Sequence, residues 1–462
     1  MLMKNRIILN DPIVKNNTIV TTLEVPNSIR KFFDMDRLYI KYRDIKDDRI
    51  EALSSSILVL PIISNIIYLA WLTSTDISVK ELDKRFLDSM NKIKHVFKKF
   101  YPNTHFSEIH AEKIVTNNSS GNNVGLLFGG GIDSFSSYAK NRDEKPILIH
   151  ITPDLGTINN SAFMNWHSYF ENFCQEENVR MHIIETNIYD FLNRTRLNAM
   201  MMLKHKTDWL VGVGIGLNFL GACAPLSILE KMNKIYLPSP GVADRAHAFH
   251  ESPSNINNIH WADVKCIHDI ILSRQDKIQT FLSNFMSNRS FPIKLVSCNN
   301  SDRIYANCNK CEKCIRTILE LMINDIDPNL VGFNIDKSIF KFIRREIEKK
   351  RLRLHKYQLD YWYDLQKNIR SKKNKKYLFG DDDFFKWLSN INISSMKRDS
   401  TYYITHSLRS YMFGFLPFQI RKAIRMKLFH HSIRSVRMRI AKIHHIFRIY
   451  QQDALPNGQS KK

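Results

Sequence analysis

The sequence lacks several features that would place it in a well-defined class of protein. Its first residues, MLMKNRIILNDPIV, have neither the apolar segment nor the small-residue cleavage site of a secretory signal peptide. The apolar segment 57–72 (ILVLPIISNIIYLAWL) is shorter than the roughly 20 residues of a membrane-spanning helix and contains Pro61, Ser64 and Asn65. We therefore expect this segment to be buried in a protein core rather than to cross a membrane.

Acidic residues are missing between Asp399 and Asp453. Residues 341–462 contain 29 Lys and Arg against 9 Asp and Glu, an excess of 20 that accounts for most of the net charge of +23. After Pro417 the pattern is amphipathic, and one apolar face carries Ile433, Val436, Ile440, Ile443 and Phe447. Residues 401–452 could contact RNA phosphates, lie on an anionic membrane as a peripheral helix, or pack on the core with a solvated basic face.

Cysteine is scarce, and four of the seven cysteines are clustered. An odd count without a signal peptide indicates reduced thiols and a cytoplasmic protein. The three scattered cysteines are therefore expected to be ordinary buried residues: Cys174, Cys223 and Cys266.

The cysteine cluster has the spacing C-x9-C-x2-C-x2-C and consists of Cys298, Cys308, Cys311 and Cys314. Four thiolates satisfy tetrahedral Zn²⁺ and leave no position for a catalytic water, which predicts a structural zinc site. An iron–sulfur cluster also takes four cysteines and remains an alternative. Lys310 and Lys313 lie inside the cluster and would partly offset its negative charge.

The pattern of strands and helices divides the chain into three regions. Residues 1–118 combine short β-rich runs with an amphipathic helix predicted over 79–100, whose apolar positions are Leu82, Phe86, Met90, Ile93 and Phe97. Residues 119–330 alternate strands at 124–128, 147–152, 180–186, 234–239 and 293–298 with helices at 161–177 and 208–230. This alternation predicts an α/β fold with a five-stranded parallel sheet covered on both faces. Residues 331–462 are basic and mainly helical.

The segment LLFGGGIDSFSSY (126–138) is not a Walker A motif, because no Gly-Lys-Ser/Thr follows its glycines. An apolar strand leads into Gly129, Gly130 and Gly131, and the next residues open a helix. Backbone N–H groups at such a helix start favour a bound phosphate. Asp133 could cap the helix or face Mg²⁺, and Ser134 could add a hydroxyl donor. A glycine turn of an ordinary α/β sheet is the alternative. The later glycines of GVGIGLNFLG (212–221) are expected to allow close helix packing.

The loop resembles the SGGxDS signature of PP-loop ATP pyrophosphatases. Gly130, Gly131, Asp133 and Ser134 match the signature, whereas Gly129 stands where it has its first serine. The resemblance implies a doubly wound sheet of the adenine nucleotide alpha hydrolase type. It also implies that ATP is cleaved to AMP and pyrophosphate, with Mg²⁺ as cofactor. The ATP-binding residues would be Phe128, Gly129, Gly130, Gly131, Asp133 and Ser134.

The loop and the cysteine cluster together, over residues 119–325, resemble a divergent 7-cyano-7-deazaguanine synthase. The segments NCNKCEKCIRTILEL (307–321) and HDIILSRQDKI (268–278) carry this resemblance. It implies that Arg274 and Lys277 neutralise phosphate or pyrophosphate and that His268 and Asp269 contact the substrate. A solvated helix start is the alternative for these four residues.

The resemblance implies an ATP-dependent ligase. Such an enzyme would adenylate an oxygen of a small molecule or a modified residue, after which a nitrogen or sulfur nucleophile would displace AMP. The basic C-terminal residues and the missing serine leave two alternatives open. One is an RNA-modifying enzyme that docks RNA through residues 401–452, and the other is a non-catalytic nucleotide-binding module with a degenerate loop.

Overall fold

The computed structural model describes residues 5–102, 104, 107–153, 160–214, 216–239, 253–289, 292–298, 306–372, 376–378, 382–398, 414 and 416–421. The chain divides into two compact units, residues 1–411 and residues 412–462. In the second unit only residues 414 and 416–421 are described. The predicted RNA-binding or membrane-binding surface at 401–452 therefore lies almost entirely outside the described residues, as does the apolar face at 433–447.

The first unit contains an α/β fold with one large, mostly parallel sheet of 12 strands. The strands are β1 (Arg6–Leu9), β2 (Ile13–Lys15), β3 (Thr18–Glu24), β4 (Arg37–Tyr42), β5 (Asp76–Asp83), β6 (Ile109–Val115), β7 (Asn123–Leu127), β8 (Ile147–Pro153), β9 (Met181–Thr186), β10 (Met232–Pro238), β11 (His260–Trp261) and β12 (Val264–Asp269). Their order is β11-β12-β10-β7-β8-β9-β4-β3-β1-β5-β6, with β2 paired to β3 off this path.

Helices occupy much of the remaining described chain. They are α1 (Asn27–Arg30), α2 (Asp47–Glu51), α3 (Ser55–Leu58), α4 (Leu60–Thr73), α5 (Lys84–Phe100), α6 (Ile132–Lys140), α7 (Asn160–Glu177), α8 (Ile188–Phe191), α9 (Arg194–His205), α10 (Trp209–Gly212), α11 (Gly216–Leu229), α12 (Pro253–Ile256), α13 (Arg274–Lys277), α14 (Ser283–Ser287), α15 (Glu312–Ile323), α16 (Ser338–Glu348), α17 (Lys356–Ser371) and α18 (Asp382–Asn390). The predicted helices at 161–177 and 208–230 correspond to α7 and to the pair α10 and α11.

The prediction of a five-stranded sheet is not confirmed, because the sheet has 12 strands. Within it, β12, β10, β7, β8 and β9 lie side by side and are mutually parallel. Four of these are the predicted strands, but the predicted strand at 293–298 is wrong. That segment is extended and lies outside the sheet, since Val296 N–H donates to the Gly130 carbonyl and Leu295 N–H to the Val331 carbonyl. β12 occupies the place beside β10 instead.

The N-terminal strands continue the same sheet, because β4 pairs antiparallel with β9. The predicted helix over 79–100 begins five residues later than expected, at Lys84. Its first residues belong to β5, where Leu82 is buried, and Asp83 caps α5 by accepting a hydrogen bond from Phe86 N–H. The apolar positions at the end of β5 and in α5 continue with the same helical spacing, which explains why the sequence predicted one helix across both elements.

Two hydrophobic cores are built on the alternating side chains of the central strands. Leu126 and Leu148 belong to one core, with α6, α7 and α15, whereas Leu127 and Ile149 belong to the other, with α4 and α11. Side chains alternate across a strand, so the two cores lie on opposite faces of the sheet.

The apolar segment 57–72 forms α3 and most of α4, and it is buried as predicted. Helix α11 packs closely on α4, since a side chain at Gly221 would overlap Ser64. This confirms the prediction of close helix packing for Gly221. Among the helices of the described residues, none combines the length and the apolarity needed to cross a membrane.

Candidate functional site

The glycine loop (residues 128–131) leaves the carboxyl end of β7 and enters α6, as the sequence predicts. Gly130 has a φ of +74°, and a Cβ at this position would lie 2.9 Å from the ring of Phe170, so glycine is required here. A Cβ at Gly129, by contrast, would meet nothing within 4 Å. The fold therefore requires glycine at position 130, whereas position 129 is open toward a cavity.

Helix α6 begins at Ile132, and its first N–H groups have no acceptor within the helix. The Ser134 hydroxyl donates to the Gly131 carbonyl at 3.0 Å, which holds the loop against the first turn. A helix start of this kind carries partial positive charge and suits an anion.

Asp133, Arg274 and Lys277 form one cluster beside the loop. Asp133 Oδ2 accepts a hydrogen bond from Arg274 Nη2 at 2.6 Å, and Asp133 Oδ1 accepts one from Lys277 Nζ at 3.2 Å. Burial alone would raise the pKa of Asp133, but the two cations and their hydrogen bonds hold it well below its usual value. The structure thus brings together three residues that the sequence assigns to the loop, and their role in binding phosphate stays a prediction.

Arg274 and Lys277 are buried, with side chains 7% and 1% exposed. The alternative of a solvated helix start is therefore wrong for both residues. Lys277 also donates to the Ser239 carbonyl. Burial lowers the pKa of Lys277, although the charge of Asp133 partly opposes the change. The exposed residue of α13 is instead Asp276, whose side chain accepts a hydrogen bond from the capping residue Ser273.

A second layer of buried charges supports Arg274 from the side of α15 and α17. Arg274 Nη1 lies 3.9 Å from Glu320 Oε2, and Glu320 pairs with Arg316 at 3.1 Å. Arg316 also pairs with Glu312 at 2.8 Å. The ring of Tyr361, on α17, lies under both guanidinium groups, 5.4 Å from Arg274 and 4.3 Å from Arg316. This layer fixes the position of Arg274 and was not predicted from the sequence.

His268 and Asp269 end β12 rather than starting a helix. The Asp269 carboxylate accepts hydrogen bonds from Lys140 at 2.6 Å and Asn141 at 2.8 Å, and also one from Ser137. These contacts fasten α6 to β12. Neither His268 nor Asp269 is among the residues that line the cavity at the loop. Their predicted contact with substrate stays a prediction.

A cavity of about 380 Å³ lies at the carboxyl ends of β7, β8 and β10. One side is formed by Gly129, Gly131, Asp133, Ser134 and Arg274, together with Lys313. The rest of the lining is largely apolar and aromatic and includes Ile149, Tyr189, Phe219, Leu237 and Pro238, most of which belong to the core that contains α4 and α11 or pack against it. The cavity therefore offers a charged end and an apolar end to one ligand.

His150 is a titratable group in the lining of this cavity, and its ring lies beside Trp166 on the face of the sheet that packs against α6 and α7. Its Nδ1 lies 3.0 Å from the Phe128 carbonyl, which identifies Nδ1 as the protonated nitrogen that donates. Burial lowers the pKa of His150 to about 4, and the hydrogen bond to Phe128 only partly opposes this. A neutral His150 thus links β8 to the glycine loop at neutral pH.

The four clustered cysteines meet as predicted. Their sulfur atoms all lie within 4.8 Å of one another, and they could hold a metal ion such as zinc. Cys311 N–H donates to Cys308 Sγ at 3.2 Å, and Cys314 N–H donates to Cys311 Sγ at 3.5 Å. Hydrogen bonding to Cys298 lowers the pKa of Cys311 and raises the pKa of Cys314, whereas metal binding requires all four cysteines as thiolates. All seven cysteines lie in the described part of the chain, and none forms a disulfide.

The sequence missed three groups at this site. His150 lies within β8 and Tyr189 within the short helix α8, and neither belongs to a motif. From the sequence, Lys313 is assigned to charge compensation of the thiolates. Comparison with known proteins finds no family model, no curated protein and no solved structure that matches the chain.

Proposed function

We propose that the first unit binds ATP at the glycine loop and transfers its adenylyl group to an oxygen of a small molecule or a modified residue, with release of pyrophosphate. The observation that carries the proposal is the cluster of two buried cations, Arg274 and Lys277, held by Asp133 at the helix start that follows the loop. A leaving pyrophosphate gains negative charge, which fixed cations stabilise without reorganisation.

The position of the cavity supports a nucleotide ligand. Numbered in chain order, the five parallel strands lie 3-2-1-4-5, and the loop follows the first of them, between the second and the fourth. In open α/β sheets, ligands bind outside the carboxyl ends of the strands where the strand order reverses. This order agrees with the finer proposal of a doubly wound fold of the adenine nucleotide alpha hydrolase type.

The dimensions and lining of the cavity also suit such a ligand. Its volume of about 380 Å³ lies in the range of roughly 300–1,000 Å³ that small-molecule sites occupy. Phosphates would lie at the loop, and the apolar side at Ile149 and Leu237 would receive the base or the acceptor. We propose that Mg²⁺ accompanies ATP, since Asp133 is the one carboxylate among the described residues that line the cavity.

We propose further that the four cysteines bind a structural zinc ion.

The resemblance to 7-cyano-7-deazaguanine synthases supports amide- or nitrile-forming displacement of AMP as the second step. Gly129 lacks the hydroxyl of the signature serine, but the backbone donors of the loop remain.

The products of ATP cleavage test the proposal. The purified protein is incubated with ATP, Mg²⁺ and a panel of small carboxylic acids, with hydroxylamine as the trapping nucleophile. We expect AMP and pyrophosphate in equal amounts, with the hydroxamate of one acid, and no products from a Gly129→Val variant, whose side chain would enter the cavity. Formation of ADP and phosphate instead would contradict adenylyl transfer.

A further inference from the structure

We propose that Lys313, held by the cysteine cluster, is a third cation of the nucleotide site and binds the phosphate chain directly. The inference rests on the proposed function and assigns to that site a residue that neither the loop signature nor the resemblance identifies. It also gives the cysteine cluster a role in ligand binding, because the cluster determines where Lys313 lies.

The segment before the cluster is bonded to the glycine loop. Val296 N–H donates to the Gly130 carbonyl at 2.7 Å, two residues before Cys298. On the next residue, Ser297 N–H donates to Asn307 Oδ1 at 2.9 Å, and Asn307 lies directly before Cys308. The loop and the segments that carry the first two cysteines are thus joined by one backbone hydrogen bond and one bond to the Asn307 side chain, which fix their relative position.

The cluster also fixes the position of Lys313 on α15. Cys311 is the N-cap of α15, and its sulfur accepts the Cys314 N–H, which places Lys313 in the first turn of the helix. A lysine is unfavourable there, because the helix start carries partial positive charge. Helix stability therefore does not explain a cation at this position. The thiolates of the cluster are one anionic partner for it, and an anion bound in the cavity would be a second.

The charge balance at the cavity points to the same conclusion. Arg274 and Lys277 both pair with Asp133, so part of their charge is already compensated. Lys313 lines the same cavity as Gly129, Gly131 and Ser134, and within the described chain it forms no ion pair and no hydrogen bond. A triphosphate carries more negative charge than the Asp133 cluster can offset, and Lys313 supplies the next positive charge.

The test compares two lysines of the same cysteine loop. Lys310 is exposed and lines a different cavity, with Asn334 and Asp336, so Lys310→Met is the matched control for Lys313→Met. Calorimetry gives the dissociation constants of inorganic pyrophosphate and ATP·Mg²⁺, and metal analysis gives the zinc content.

We expect Lys313→Met to weaken the binding of both ligands about tenfold, Lys313→Arg to retain most of the affinity, and Lys310→Met to leave it unchanged. Zinc content should equal that of wild type in all three variants. Wild-type affinity in Lys313→Met, or equal losses in both methionine variants, would overturn the role of Lys313 alone. Absence of binding to the wild-type protein would overturn the proposed function as well.

Discussion

Replacing Asp133 with alanine should lower the free energy of unfolding at neutral pH by about 3–5 kcal/mol. The substitution leaves Arg274 and Lys277 buried without the carboxylate that accepts hydrogen bonds from both. A buried charge that loses its partner costs more than the pair contributes, and the two cations keep only their contacts to Glu320 and to the Ser239 carbonyl. Chemical denaturation of the wild-type protein and of Asp133→Ala measures this change in the free energy of unfolding.

Two controls separate this cause from a general loss of packing. Asp143, an exposed aspartate just beyond α6, should change stability by less than about 0.5 kcal/mol when replaced by alanine. The double variant Asp133→Ala/Arg274→Met should be less destabilised than the sum of the two single variants, because it removes one orphaned charge. Strict additivity of the two effects would show that the pair does not interact.

The same ion cluster predicts a pH dependence. The pKa of Asp133 lies below its usual value of 3.8 in the folded protein, so the carboxylate binds a proton more readily in the unfolded chain. Its contribution is therefore complete above pH about 4 and is lost as the pH falls below that value. The difference in stability between wild type and Asp133→Ala should narrow in that range.

Replacing Cys308 with serine should remove the metal and lower the free energy of unfolding by more than about 4 kcal/mol. Cys308 contributes one of the four sulfurs and accepts the Cys311 N–H, so its loss opens both the metal site and the turn that starts α15. Zinc should be present at one equivalent in wild type and absent in the variant. Both quantities come from metal analysis and denaturation of the same preparations.

Cys174 provides the matched control for this substitution. It is buried in the same core, lies outside the cluster, and should keep its zinc and most of its stability as Cys174→Ala. A full equivalent of zinc in Cys308→Ser, or a wild-type protein that binds no metal after expression in zinc-containing medium, would contradict the assignment. Iron with acid-labile sulfide in place of zinc would favour the iron–sulfur alternative.

Features that are local in the sequence could be predicted, whereas features that depend on distant contacts could not. The glycine loop and the cysteine cluster each occupy one short segment, so their local structure could be predicted from the spacing of their residues. The extended segment 293–298 looked like a fifth strand because its apolar content fits one, but its N–H groups are used by Gly130 and Val331. The true neighbour of β10, VKCIHD in β12, has too few apolar residues to be recognised.

The burial of Arg274 also required the structure. Its neighbours Glu320 and Tyr361 are 46 and 87 positions away in the chain, and no local pattern indicates that they converge on it. The same holds for Lys313, whose position at the cavity depends on how the cysteine turn is placed against the glycine loop. From the sequence alone, the charge of Lys313 is assigned to the thiolates that lie next to it in the chain.

Binding of ATP·Mg²⁺ is the central claim, and unfolding measured with and without this ligand tests it most directly. At roughly 100 times its dissociation constant, the ligand should stabilise the wild-type protein by about 2.7 kcal/mol. Gly129→Val should fold as the wild type does, since a Cβ there meets nothing within 4 Å, yet lose this stabilisation. Gly129→Ser, which restores the hydroxyl of the signature, should retain it. Stabilisation of all three proteins to the same extent, or of none, would contradict the assignment of the glycine loop as the phosphate site.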